Sequence, residues 1–309
     1  MNSSDNLAAL IYLKNKVHKW KNLSILCIFV VIILFLRILA GDNLSDGVPE
    51  GSDYIAEIKI EGVIFENDFR SEVLEKIALE KSVKAVIVNI DSPGGGIVGS
   101  EILFEDLRKI AEKKPIAVVM GSVAASGGYM AAIASDYIIA HNGTLTGSIG
   151  VLMESPEFTE LARKVGVKFN SYKSSPLKGS PSPFEKSNSL VDAVVQESIN
   201  DSYVFFSDLV RQRRGEKLVK DTRFILDGRV FTGRQALKVG LIDEIGGEPQ
   251  ALSYFEKSRK IDIKHLPIKE ISIVQEEKSF FDKFKTMLPF FDKVDALTQK
   301  RQIMAIMPY

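Results

Sequence analysis

Pro115-Ile-Ala-Val-Val-Met120-Gly-Ser-Val-Ala-Ala-Ser126-Gly-Gly-Tyr129 joins a short apolar run to a serine boxed in by alanine and glycine. The run Pro115 to Met120 reads as a buried strand, and Ala124 through Ser135 as a tightly packed helix of small residues. A strand feeding directly into such a helix is the unit of an α/β fold. Ser126 stands at the junction, its own amide and that of Gly127 near the positive end of the helix dipole, where developing negative charge is stabilised. Small neighbours also allow a substrate backbone to approach closely. The same residues serve tight helix packing, so the segment alone marks Ser126 as a candidate nucleophile and no more.

Working outward, the strand Val83 to Ile90 runs into Asp91-Ser-Pro-Gly94-Gly95-Gly96. Successive glycines after a proline can turn their amides toward one point, as an oxyanion hole requires, and Gly94 and Gly95 are the candidates. A phosphate-binding loop would end in Lys-Ser or Lys-Thr, whereas Ile97-Val98-Gly99 follows here. Further strands are expected at Tyr54 to Ile60, Asp136 to His141 and Val167 to Tyr172. Helices are expected at Glu72 to Leu79, Glu101 to Lys113, Leu190 to Arg213 and Thr232 to Val239. This alternation implies a largely parallel sheet.

A nucleophilic serine needs a base. Of the three histidines, His18 precedes an apolar segment and His265 lies in a polar tail, which leaves His141 at a strand end with Asp136 as the nearest orienting carboxylate. A lysine is the alternative. Lys178 lies in the loop Ser174-Ser-Pro-Leu-Lys178-Gly-Ser-Pro-Ser-Pro183, and spacing alone does not choose it over Lys173 or Lys168.

Four segments in order resemble the signal peptide peptidase A family: Asp91 to Gly96, Gly121 to Tyr129, Leu145-Thr-Gly-Ser-Ile-Gly-Val151, and Asp227-Gly-Arg-Val-Phe-Thr-Gly-Arg-Gln-Ala-Leu-Lys-Val-Gly-Leu-Ile-Asp243. The resemblance covers about Tyr54 to Phe255. It implies a crotonase/Clp-like fold, Ser126 as nucleophile, Lys178 as general base and Ser148 as the hydroxyl that positions the lysine. It also implies oxyanion donors in the glycine turn, without choosing between Gly94 and Gly95, beside Gly127. A lysine acts as a base only as the neutral amine, so an ordinary ammonium near pKa ~10.4 must lose roughly three units, through burial. No cofactor or metal is called for.

The 309 residues carry 40 Lys plus Arg against 40 Asp plus Glu, so no basic field points to nucleic acid. The single cysteine, Cys27, excludes an intrachain disulfide. Residues 1–22 form a basic leader, and 23–40, interrupted by Arg37, approach the ~17–25 apolar residues that span a bilayer. Lysines before this segment and carboxylates after it orient the N-terminus to the cytoplasm and the catalytic part outside, with the segment kept as an anchor of an inner membrane. Residues 41–53 read as a linker, 54–260 as the peptidase domain and 261–309 as a C-terminal extension with an apolar face at Phe280, Phe281, Phe284, Met287 and Leu288. The resemblance implies a homo-oligomer that degrades remnant signal peptides. A membrane peptidase with particular protein substrates, or a non-catalytic crotonase-like scaffold, are the alternatives.

Overall fold

The computed structural model describes residues 52–274 and a few positions between Trp20 and Ile28, which are helical. No helix among the described residues is long and apolar enough to cross a membrane. Most of the expected anchor at 23–40, the linker, and the apolar face at 280–288 lie outside the described residues.

The body is an α/β fold on one mostly parallel sheet. Its strands are β1 (Tyr54–Ile64), β2 (Val83–Gly95), β3 (Ile116–Ala125), β4 (Tyr137–Ala140), β5 (Leu145–Gly147), β6 (Val230–Thr232), β7 (Glu244–Ile245) and β8 (Ile268–Glu270). Its α-helices are α1 (Asp68–Leu79), α2 (Ile97–Ala111), α3 (Gly127–Ala132), α4 (Thr159–Lys164), α5 (Ser189–Arg214), α6 (Gly233–Val239) and α7 (Glu248–Arg259). Strand order is β6-β5-β3-β2-β1-β8, with β4 and β7 branching from β3, and among the described residues only β5–β6 pairs antiparallel. Both faces are covered, which is why the strands read as continuous apolar runs. Val86, Val88, Val118 and Met120 face the larger core beneath α1, α2 and α3, while Ala85, Ile87, Ala117 and Val119 face a smaller one closed by Ala251 and Phe255 of α7.

Three expectations change. The helix expected from Ala124 starts at Gly127, because Ala124 and Ala125 continue β3 and pair with Thr146 and Gly147. Val167 to Tyr172 is not a strand: it finds no partner among the described residues and is largely exposed. The body also runs past residue 260, since β8 adds to β1 and Ile273 is buried in the main core.

The sheet forks where the site is built. β3 pairs with β4 from Ala117 to Met120, and with β5 from Val123 to Ala125. Between them the β2–β3 register jumps from Ile90↔Met120 to Ser92↔Ala124, so three residues of β3 oppose one of β2. Asp91 fills that bulge, its Oδ1 accepting the Val123 N–H at 3.0 Å. The bulge turns the second half of β3 away from β4 and onto β5.

Candidate active site

Ser126 follows the last residue of β3 with φ 53° and ψ −121°, outside the regions an L-residue prefers. Neighbours on both sides impose this conformation. Its N–H donates to Gly147 O at 2.9 Å, and its carbonyl accepts the Met130 N–H at 2.9 Å, locking it between β5 and α3. Such a turn lifts the side chain out of the strand's pleat at the sheet's C-terminal edge.

Parallel pairing places the next candidate alongside. Ala125 pairs with Gly147, so Ser126 and Ser148 are successive positions on neighbouring strands, which lie ~4.8 Å apart in a sheet. Ser148 also has positive φ, 50°, and its N–H donates to Arg229 O at 2.8 Å. The structure thus brings these two serines, 22 residues apart in sequence, to one edge.

The glycine turn closes the other side. Gly94, at φ 103°, packs so tightly that a Cβ there would meet Gly127 N at 2.7 Å and Ser126 Cβ at 2.9 Å. Of the two donors expected from the turn, the Gly94 N–H is engaged by Ser92 Oγ at 3.1 Å. Gly96 N–H points to β1, donating to Ile64 O at 3.0 Å. That leaves the Gly95 N–H as the turn's candidate donor. A Cβ built on Gly127 would lie 3.2 Å from Gly95 N, so the amides of Gly95 and Gly127 share the neighbourhood of Ser126.

The histidine alternative fails on geometry. His141 lies beyond β4, on the branch that diverges from the Ser126 branch, and its side chain bonds to neither Ser126 nor Asp136 among the described residues. Asp136 is occupied instead, Oδ2 accepting from Ile116 N at 3.2 Å and from Arg259 at 2.8 Å.

The lysines separate by their partners. Lys173 is the most enclosed, its side chain 20% exposed, paired with Glu185 and 3.3 Å from Ser180 Oγ. Its Nζ is thus taken up by Glu185 and Ser180 rather than by Ser126. Conversely Lys173, followed by Ser171, holds the Glu185 carboxyl below its usual range. Lys168 is exposed and lines a small cavity of about 180 Å³ with Phe169 and Phe184, which stack at 3.9 Å. Lys178 is exposed on the turn whose base the Lys173–Glu185 pair closes. Its Nζ makes no hydrogen bond to Ser126 or Ser148 among the described residues, and it carries no ion pair there. Sequence alone marks Asp91 and Glu185 only as polar residues and Lys173 only as one of three candidate bases. A carboxylate opening a glycine turn, and a Lys and a Glu bracketing a proline-rich loop, are the signals that could have singled them out.

The model of peptidase family S49 matches residues 108–262, half of the chain. A Synechocystis relative named as a candidate protease is 38% identical over 199 residues, covering 64% of this chain and 71% of that protein. The chain belongs to peptidase family S49. An Enterococcus faecium relative named as a candidate signal peptide peptidase SppA is 37% identical over 191 residues, or 61% of this chain and 55% of that protein. Among solved structures, a membrane-bound stomatin-specific protease matches with TM-score 0.47 and 15% identity over 72% of this chain and 98% of that chain. Family S49 membership makes the protein a serine peptidase.

Proposed function

We propose that this is a membrane-anchored serine endopeptidase in which Ser126 is the nucleophile and Lys178 the general base, degrading remnant signal peptides. The observation that carries it is Ser126, held at φ 53° beside the amides of Gly95 and Gly127. The neutral amine of Lys178 takes the Ser126 proton as Oγ bonds to the scissile carbonyl carbon. The carbonyl π pair moves onto oxygen, where Gly95 and Gly127 N–H stabilise it. Collapse expels the peptide amine, protonated by Lys178, and leaves an acyl-enzyme. Water gives its proton to the same amine, attacks the ester and frees Ser126. Ser148 Oγ accepts a hydrogen bond from the lysine and orients it.

Exposure of Lys178 gives this reading its physical condition. A neutral amine needs dry surroundings, and substrate packing over Leu177 and Pro176, with a neighbouring subunit at the groove, supplies them. The exposed apolar side chains of Val63, Phe65 and Val98 flank the glycine turn and suit extended apolar peptides, of which signal peptides are an abundant class. The name of the Enterococcus relative points the same way. Anchoring through 23–40 in an inner membrane, with a cytoplasmic N-terminus and the peptidase domain outside, brings the site to where such peptides are released.

The full chain in detergent, given a library of signal peptides and mature-protein peptides, tests this by mass-spectrometric product mapping. Preferential cleavage of signal peptides is expected, with losses of ~10⁴-fold or more in Ser126→Ala and Lys178→Ala. Equal cleavage of both peptide classes contradicts the substrate, and full activity in Lys178→Ala contradicts the dyad.

A further inference from the structure

Two buried hydroxyls outside the proposed dyad grip the glycine turn. Ser92 is 0% exposed and Ser100 1% exposed. Ser92 Oγ accepts the Gly94 N–H at 3.1 Å, and Ser100 Oγ donates to Gly96 O at 2.9 Å. They come from different elements, Ser92 from β2 and Ser100 from the first turn of α2. Each also touches the start of α3. A Cβ on Gly127 would fall 2.1 Å from Ser100 Oγ, and one on Gly128 would fall 3.4 Å from Ser92 Cβ.

We infer that Ser92 and Ser100 are positioning residues: by fixing the peptide groups that flank Gly95, they keep the Gly95 N–H aimed at the carbonyl oxygen of the bond Ser126 attacks. This rests on the proposed roles of Ser126 and Gly95. A peptide unit between two glycines flips at little steric cost, because neither flanking residue has a Cβ to oppose it. A flip of the Gly94–Gly95 unit would replace the N–H by the Gly94 carbonyl and set one partial negative charge against another. Three bonds hold its neighbours. Ser92 fixes the unit before it, Ile64 O the unit after it through Gly96 N–H, and Ser100 the unit after that. Ser100 also packs under Gly127, so the two amides are held through one side chain as well as through the backbone.

The test measures kcat, KM and inhibition by a peptide aldehyde in the full chain. The aldehyde carbon bonds to Ser126 Oγ, the proton passes to Lys178, and the π pair becomes an oxyanion that needs the same donors as the transition state. In Ser92→Ala and Ser100→Ala we expect kcat to fall ~10- to 100-fold with KM within about twofold, and the aldehyde Ki to rise by the factor lost in kcat. Ser92→Thr and Ser92→Val add the same volume, but only threonine keeps the acceptor. Threonine should therefore exceed valine by about tenfold in kcat whatever the cost of the added methyl. A Ser126-dependent enzyme whose alanine variants keep full kcat, or lose kcat with unchanged aldehyde Ki, or whose Thr and Val variants are equal, overturns this inference alone. Activity persisting in Ser126→Ala overturns the nucleophile and this inference with it.

Discussion

Ser126 spends conformational energy on its position. A non-glycine residue at φ 53°, ψ −121° carries a strain of about 1–3 kcal/mol, which the bonds to Gly147 and Met130 hold in place. Ser126→Gly is therefore expected to raise stability by about 1 kcal/mol while abolishing peptidase activity, a trade that thermal unfolding and a peptide assay would show together. Acid loss of activity follows from the proposed base, Lys178. Lysine works when deprotonated, so kcat/KM should rise with pH through the pKa of that amine in the free enzyme, and a profile flat from about pH 5 to pH 9 contradicts it. The Lys173–Glu185 pair does not confound that limb. Glu185 is held below the usual carboxylate range, so the pair stays intact above about pH 4 and is lost only as pH falls through the lowered value.

Elements show where sequence patterns were sufficient. β2 and the first half of β3 were legible because Val86, Val88, Val118 and Met120 alternate with Ala85, Ile87, Ala117 and Val119 between two apolar layers. Ser126 was legible because only small residues fit against Gly94 and Ser100. The continuation of β3 through Ala125 was not, since alanine favours helix and only the distant partners Thr146 and Gly147 make it a strand. Val167 to Tyr172 has strand composition but no sheet edge to join. For Lys178, the proposed base, the difficulty is different in kind: a lysine among serines and prolines looks like any surface charge, and what would make it a base lies outside its own loop. Closing that loop is the task of Lys173 and Glu185. In Glu185→Gln, kcat/KM should fall severalfold with little change in melting temperature, whereas an unchanged kcat/KM would deny the pair a part in placing the loop.

At the scale of the molecule, the long helix α5 is tied to the segment that supports Ser126. Arg214, 3% exposed in its side chain, forms a two-bonded pair with Asp243 at 3.0 and 3.1 Å, and its Nε donates to Gly240 O. Tyr129 of α3 donates to Leu241 O at 2.8 Å in the same segment, and burial pushes its hydroxyl pKa well above the ordinary value. Burial alone would raise the Asp243 carboxyl, but Arg214 and Lys217 hold it below its usual value. Its contribution to stability is complete above about pH 4 and fades as pH falls further. Arg214→Ala leaves that carboxylate buried without its main partner and should cost about 3–5 kcal/mol, read by denaturant unfolding. The loss would spread to activity, because the helix that follows Ser126 rests on this segment. Mass-spectrometric mapping of a fluorophosphonate adduct on the full chain tests the catalytic assignment most directly. The adduct is expected on Ser126, with labelling abolished in Ser126→Ala and nearly so in Lys178→Ala. An adduct on another residue, or unchanged labelling of the Lys178→Ala protein, would contradict it.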